Sequence, residues 1–101
     1  MKQNQIQRMG RLFSEAGLIM TDSQVERFIR FYDMLMEHNE AFDLTRLKNF
    51  DDIIIKHFID SVYFTRFVTL PPSIVDIGTG PGFPGIPLKI MNPGLRLILA
   101  E

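Results

Sequence analysis

The sequence predicts an α/β chain in two parts: a helical amino-terminal region over residues 1–70, then the first βαβ unit of a parallel sheet over residues 71–101. Three observations predict this. Apolar residues recur at helical spacing from Ile6 to about Phe67. Pro71-Pro72 then ends the helical pattern, because neither residue donates a backbone hydrogen bond and each restricts the residue before it. Beyond them a β-branched run, Ile74 to Ile77, leads into glycines at 78, 80, 82 and 85.

The first helix is read from Ile6, Met9, Leu12, Phe13 and Ala16, which fall on one face, and Gly17 is placed to end it in a left-handed conformation. Thr21 followed by Gln24 matches a capping box, in which each side chain satisfies an unpaired backbone donor of the first turn. A second helix is expected from about Asp22 to Glu40. Its buried stripe is Val25, Phe28, Ile29, Tyr32, Leu35 and Met36, with Glu26, Arg27, Arg30, Asp33 and Glu37 toward solvent. Asn39 to Thr45 breaks the period with short polar residues that compete for backbone hydrogen bonds, which reads as a structured loop. Asn49 with Asp52 resembles another helix start, and a third helix runs from Asp51 to about Phe67 with Ile55, Phe58, Ile59 and Val62 on its buried face. On its other face His57, Asp60 and Ser61 are surface neighbours. Phe28, Phe31, Tyr32 and Phe64 read as core aromatics.

Ile74 to Ile77 reads as a strand buried on both faces. A short helix from about Pro84 to Met91, a turn at Asn92-Pro93-Gly94 and a second strand from Leu95 to Ala100 complete the unit. The crossover is long enough to join parallel strands and should be right-handed. Leu95, Leu97, Ile98 and Leu99 belong to a run that a parallel sheet buries on both faces, so the chain reads as the amino-terminal part of a larger sheet.

With 11 basic and 12 acidic residues and a net charge of −1, the chain is not expected to have general affinity for nucleic acid or anionic membrane. It has no cysteine, which excludes thiolate metal sites, and its two histidines lie far apart, so no metal is expected. No apolar run approaches the roughly 20 residues that span a bilayer, and the cytoplasm is the expected location.

The glycine loop carries the chemistry. A loop feeding a helix exposes backbone N–H groups and the positive end of a helix dipole, and Asp76 stands at the mouth of the strand, where an open α/β sheet receives its ligand. Gly80 and Gly85 have the spacing of a phosphate-binding P-loop, but Ile86 and Pro87 follow where Lys and a hydroxyl are required, and that reading fails. Gly80, Gly82, Gly85 and Glu101 satisfy a dinucleotide fingerprint, which leaves an NAD-type domain as one alternative, although Asp76 and Gly78 then have no role. A non-enzymatic helical interaction module is the other.

Asp76-x-Gly78-x-Gly80-x-Gly82, with Glu101 closing the second strand, resembles the first two cofactor motifs of Rossmann-like methyltransferases that use S-adenosylmethionine. The resemblance implies that Asp76, Gly78, Thr79, Gly80, Pro81, Gly82 and Phe83 surround the methionine end of the cofactor and that Glu101 accepts hydrogen bonds from its ribose. Three stretches narrow it further: His38 to Thr45, Lys56-His57-Phe58-Ile59-Asp60-Ser61, and Val75 to Leu88. Together they resemble the small ribosomal subunit RNA methyltransferase G family, also called glucose-inhibited division protein B. Membership implies methylation of a guanine N7 in 16S ribosomal RNA, as free RNA or within the small subunit, by the complete protein, with the present chain inactive alone. It also implies that His57, Asp60 and Ser61 shape the cofactor pocket. On the residues themselves a plainer reading stays open, with His57 packing and Lys56 paired to Asp60. Arg46 and Lys48 read as a solvated loop rather than an RNA contact.

Overall fold

The computed structural model describes residues 2–37, 50–78 and 83–100. The expected loop from Asn39 to Thr45, Arg46, Lys48 and the Asn49 helix start lie outside them. Helix α1 spans Lys2–Glu15 and buries Met9, Leu12 and Phe13. It ends as the sequence predicts: Gly17 has φ +81°, the Gly17 N–H donates to Ser14 O and the Leu18 N–H to Phe13 O, both at 2.9 Å. This pair of bonds satisfies two terminal carbonyls and brings buried Leu18 against the helix.

Helix α2, Asp22–Glu37, begins with the expected capping box. The Thr21 N–H donates to Gln24 Oε1 at 2.9 Å and the Gln24 N–H to Thr21 Oγ1 at 3.1 Å. The Gln24 side-chain amide reaches further, donating to the carbonyls of Ile90 and Met91 at 3.3 and 3.1 Å. The α2 stripe is buried as expected, with Met36 only half-buried and Phe31 added to it.

The third helical stretch, α3 (residues 50–66), departs from a plain α-helix. It runs as α over Phe50–Ile53, π over Ile54–Ile59, α over Asp60–Val62 and 3₁₀ over Tyr63–Arg66. In the π segment the Asp60 N–H donates to Ile55 O, five residues back. That spacing sets Ile53 over Phe58 and Ile54 over Ile59, so Ile53 and Ile54 are buried while Ile55, expected on the buried face, is 46% exposed. Phe64, expected in the core, is also exposed, because the tighter 3₁₀ turn carries it off the line that ends at Val62.

Strands β1 (Ser73–Ile77) and β2 (Arg96–Ala100) pair in parallel, from Ser73 opposite Arg96 to Ile77 opposite Ala100, joined through helix α4 (Gly85–Met91). The ladder continues with the Gly78 N–H donating to Ala100 O at 2.7 Å. Lys89 secures the turn into β2, its ammonium donating to the carbonyls of Pro93 and Leu95. Neither strand is buried on both faces as the sequence suggested: Val75, Ile77 and Ile98 are 56%, 75% and 59% exposed. Their β-branched composition suits a doubly covered sheet, yet among the described residues helices pack on one face only.

One cluster of buried side chains joins α1, α2, α3 and α4 with Leu95. A row of rings runs through it. Phe13 lies 4.8 Å from Phe28, Phe28 5.4 Å from Phe58, and Phe58 5.3 Å from Phe31, centroid to centroid. At the surface Lys2 pairs with Asp33 and Arg8 with Asp51.

Phe28→Ala is expected to destabilise the chain by about 3 to 5 kcal/mol, since it opens a cavity in the middle of that row. A shift in the urea midpoint at constant slope measures it, and a shift near zero refutes the role assigned to Phe28. The hydrogen bond from the Arg8 guanidinium holds the Asp51 carboxyl below the usual carboxylate value. A lowered folded-state value contributes stability above the ordinary carboxyl pKa and loses it as pH falls through the folded one. Wild type should therefore melt slightly above Arg8→Met at neutral pH and low salt, with the gap closing below about pH 4. A gap that widens in acid contradicts the assignment. The bare sheet face predicts that residues 1–101 alone self-associate, and that Ile98→Lys returns them toward monomer in light scattering. A monomeric parent chain refutes it.

Candidate functional site

β1 delivers Asp76 and then Gly78 to the carboxy-terminal edge of the sheet. Gly78 has φ +72°, a left-handed conformation that glycine adopts without strain, and a Cβ at this position would meet nothing within 4 Å among the described residues. The chain thus leaves the strand in a left-handed conformation, with no described residue crowding that flank.

At the far end of the loop stands the first residue of α4. The Gly85 N–H donates to Asp76 Oδ2 at 2.8 Å. A Cβ at Gly85 would lie 2.7 Å from that oxygen and 2.8 Å from Leu99 Cδ2, so any side chain here would have to displace the Asp76 carboxylate and Leu99. Asp76 therefore already satisfies the leading N–H of α4, an orphan donor the sequence had suggested for a ligand. A carboxylate has acceptor capacity beyond this one bond.

Phe83 follows the loop and turns into the helical region. Its ring is 5.5 Å from Phe31, 5.8 Å from Phe58 and 5.1 Å from His57, the last pair inclined at 31°. The Phe83–Pro84 peptide bond is cis.

Of the residues singled out in sequence, the structure places His57 against Phe83 and Asp76 against Gly85. Ser61 turns inward on its own helix, its hydroxyl donating to the His57 carbonyl. Asp60 is exposed, as is Lys56, and the ion pair expected between them is not formed. Thr79, Gly80, Pro81, Gly82 and Glu101 lie outside the described residues. Two contributors read otherwise in sequence: Gly85 as part of a dinucleotide fingerprint, with no sequence signal for its bond to Asp76, and Phe31 as a core aromatic one helical turn after Phe28.

Among the described residues no group of three His, Cys, Asp or Glu side chains gathers to hold a metal ion. No described helix is long and apolar enough to cross a membrane.

Comparison with known proteins gives these positions a family. Residues 24–101 match the family model GidB, described as rRNA small subunit methyltransferase G. The chain is 46% identical over 90 residues to Ribosomal RNA small subunit methyltransferase G of Carboxydothermus hydrogenoformans, covering 88% of this chain and 38% of that protein. It is 42% identical over 95 residues to Ribosomal RNA small subunit methyltransferase G 2 of Bdellovibrio bacteriovorus, covering 93% and 37%. To the Glaesserella parasuis protein named Ribosomal RNA small subunit methyltransferase G it is 36% identical over 94 residues, covering 93% and 46%. The chain thus spans less than half the length of each of these relatives. Its helices and two-stranded parallel sheet are compatible with part of a methyltransferase fold. With the family model running from α2 to the last residue, the chain belongs to the GidB family, the rRNA small subunit methyltransferase G proteins.

Proposed function

We propose that this chain is the amino-terminal part of an S-adenosylmethionine-dependent methyltransferase that modifies guanine N7 in 16S ribosomal RNA, free or within the small subunit, in the cytoplasm. Residues 1–70 form its helical region and residues 71–101 open its Rossmann-like domain. The observation that carries the reading is the end of β1, where left-handed Gly78 has no crowding neighbour among the described residues and follows a carboxylate that is itself held by Gly85. Family membership supplies the reaction class.

That turn fits the cofactor chemically. An open backbone edge admits the amino-acid end of a ligand, and an acidic side chain suits its ammonium group. Asp76 and Gly78 would hold that end together with Thr79, Gly80, Pro81, Gly82 and Phe83, and Glu101 would accept from the ribose hydroxyls. When bound, the cofactor supplies an electrophilic methyl group on a sulfonium. Guanine N7 attacks with a lone pair already available, so no side chain has to remove a proton and no general base is assigned here. The chain's contribution is to fix the loop so that nucleophile, methyl carbon and sulfur are held in line. Asp76, anchored by the Gly85 N–H, does this without reorganising when the ligand arrives. Residues 1–101 alone supply too few contacts to seat the whole cofactor and are inactive by themselves.

Calorimetry on the full-length reading frame, titrated separately with S-adenosylmethionine and NAD, tests the reading. Binding of the first and not the second is expected, and binding of NAD alone refutes it. Glu101→Ala should then weaken S-adenosylmethionine by about 1 to 3 kcal/mol, the range for hydrogen bonds to a charged group. Unchanged affinity would place the ribose partner elsewhere.

A further inference from the structure

Among the described residues, the chain leaving the glycine loop meets the helical region through the ring of Phe83. Phe83 lies against Phe31 of α2 and against Phe58 and His57 of α3. Phe31 and Phe58 are buried and stacked on each other at 5.3 Å with their planes 20° apart, so they form a fixed floor. His57 is the remaining wall, half-buried at the edge of the core. Its place there depends on the π turn. The five-residue spacing commits Ile53, Ile54, Phe58 and Ile59 to the interior and leaves His57 on the flank that meets Phe83. A π turn is rare, and such turns occur frequently at functional sites.

In sequence Phe83 falls between two backbone anchors. The Gly78 N–H is bonded to Ala100 O at one end, and the Gly85 N–H to Asp76 at the other. Between Gly78 and Gly85 the ring of Phe83 is a side-chain anchor that reaches outside the βαβ unit.

We propose that His57 is a positioning residue for the entry to α4: the π turn brings its flat ring against Phe83, holds that side chain on the Phe31–Phe58 pair, and so sets how the chain runs from Phe83 to Gly85 beside Asp76. Its consequence for cofactor binding rests on the function proposed above, while its consequence for the Phe83–Gly85 stretch does not. The face of the ring matters and its nitrogens do not, because the contact is ring on ring and transfer to a purine N7 needs no proton carrier.

The test compares His57→Ala, His57→Leu and His57→Phe in the full-length protein by two measurements. Amide hydrogen exchange without ligand reads the entry to α4 directly. His57→Ala and His57→Leu should speed exchange of the Phe83 and Gly85 amides by roughly two- to tenfold, the factor corresponding to one aromatic pair. Amides of α1 should be unchanged, and His57→Phe should stay near wild type. Titration with S-adenosylmethionine should show a dissociation constant raised by a similar factor in the first two variants and restored in the third. His57→Leu keeps apolar volume without a flat face, so it decides the matter if the Ala variant does not fold. Unchanged exchange at Gly85 in the Leu variant overturns the proposal, as does a Phe variant no better than Leu. A wild-type protein that binds no S-adenosylmethionine refutes the proposed function, and the exchange measurement still decides the role of His57.

Discussion

The stacking of rings from Phe13 through Phe28, Phe58 and Phe31 to Phe83 is the contact on which the rest of the structure depends. Each of the first three helices contributes to it, and its last member belongs to the βαβ unit. Aromatic side chains bury large areas and prefer tilted or offset arrangements, so such a row resists sliding more than an aliphatic core of similar volume. Position along the row therefore fixes where the loop after β1 rejoins the helices. Among the described residues the sheet has two strands and one covered face, too little to be stable by itself.

Much of this was legible in the sequence wherever one local rule decided the outcome. Gly17 ends α1, Thr21 with Gln24 starts α2, and the strand, helix and strand after Pro72 pair as a parallel unit. What escaped was set by packing between elements. The π turn is foreshadowed only by three consecutive isoleucines, Ile53-Ile54-Ile55, which cannot all occupy one stripe of an α-helix. Periodicity chose Ile55 for the core; the widened turn chose Ile53 and Ile54. The strands read as doubly buried because composition reports the sheet a segment suits, not the neighbours present around it. In the candidate site, Asp76 and the glycines were visible as types and spacings. That Asp76 spends one oxygen on Gly85 required the closed turn to be seen.

That bond gives the strand-end acid a structural role of its own. The acid at the strand end is part of the scaffold that shapes the turn, and the close approach of Gly85 to Leu97 and Leu99 presses the start of α4 onto the sheet. Geometry at the mouth of the strand is thus held by the chain's own acid, and under the function proposed above a ligand arriving there would have less reorganisation to drive.

Gln24 carries a consequence for which residues this position accepts. Capping boxes take glutamate or glutamine at that position, because only an acceptor oxygen is needed to satisfy the backbone donor. Here the same side chain also donates, through its amide nitrogen, to the carbonyls that end α4. A glutamate would start α2 equally well and yet set a negative charge against two carbonyl oxygens. The first turn of one helix and the last turn of another are thereby written into a single amide, and the usual interchange of acid and amide is closed to it.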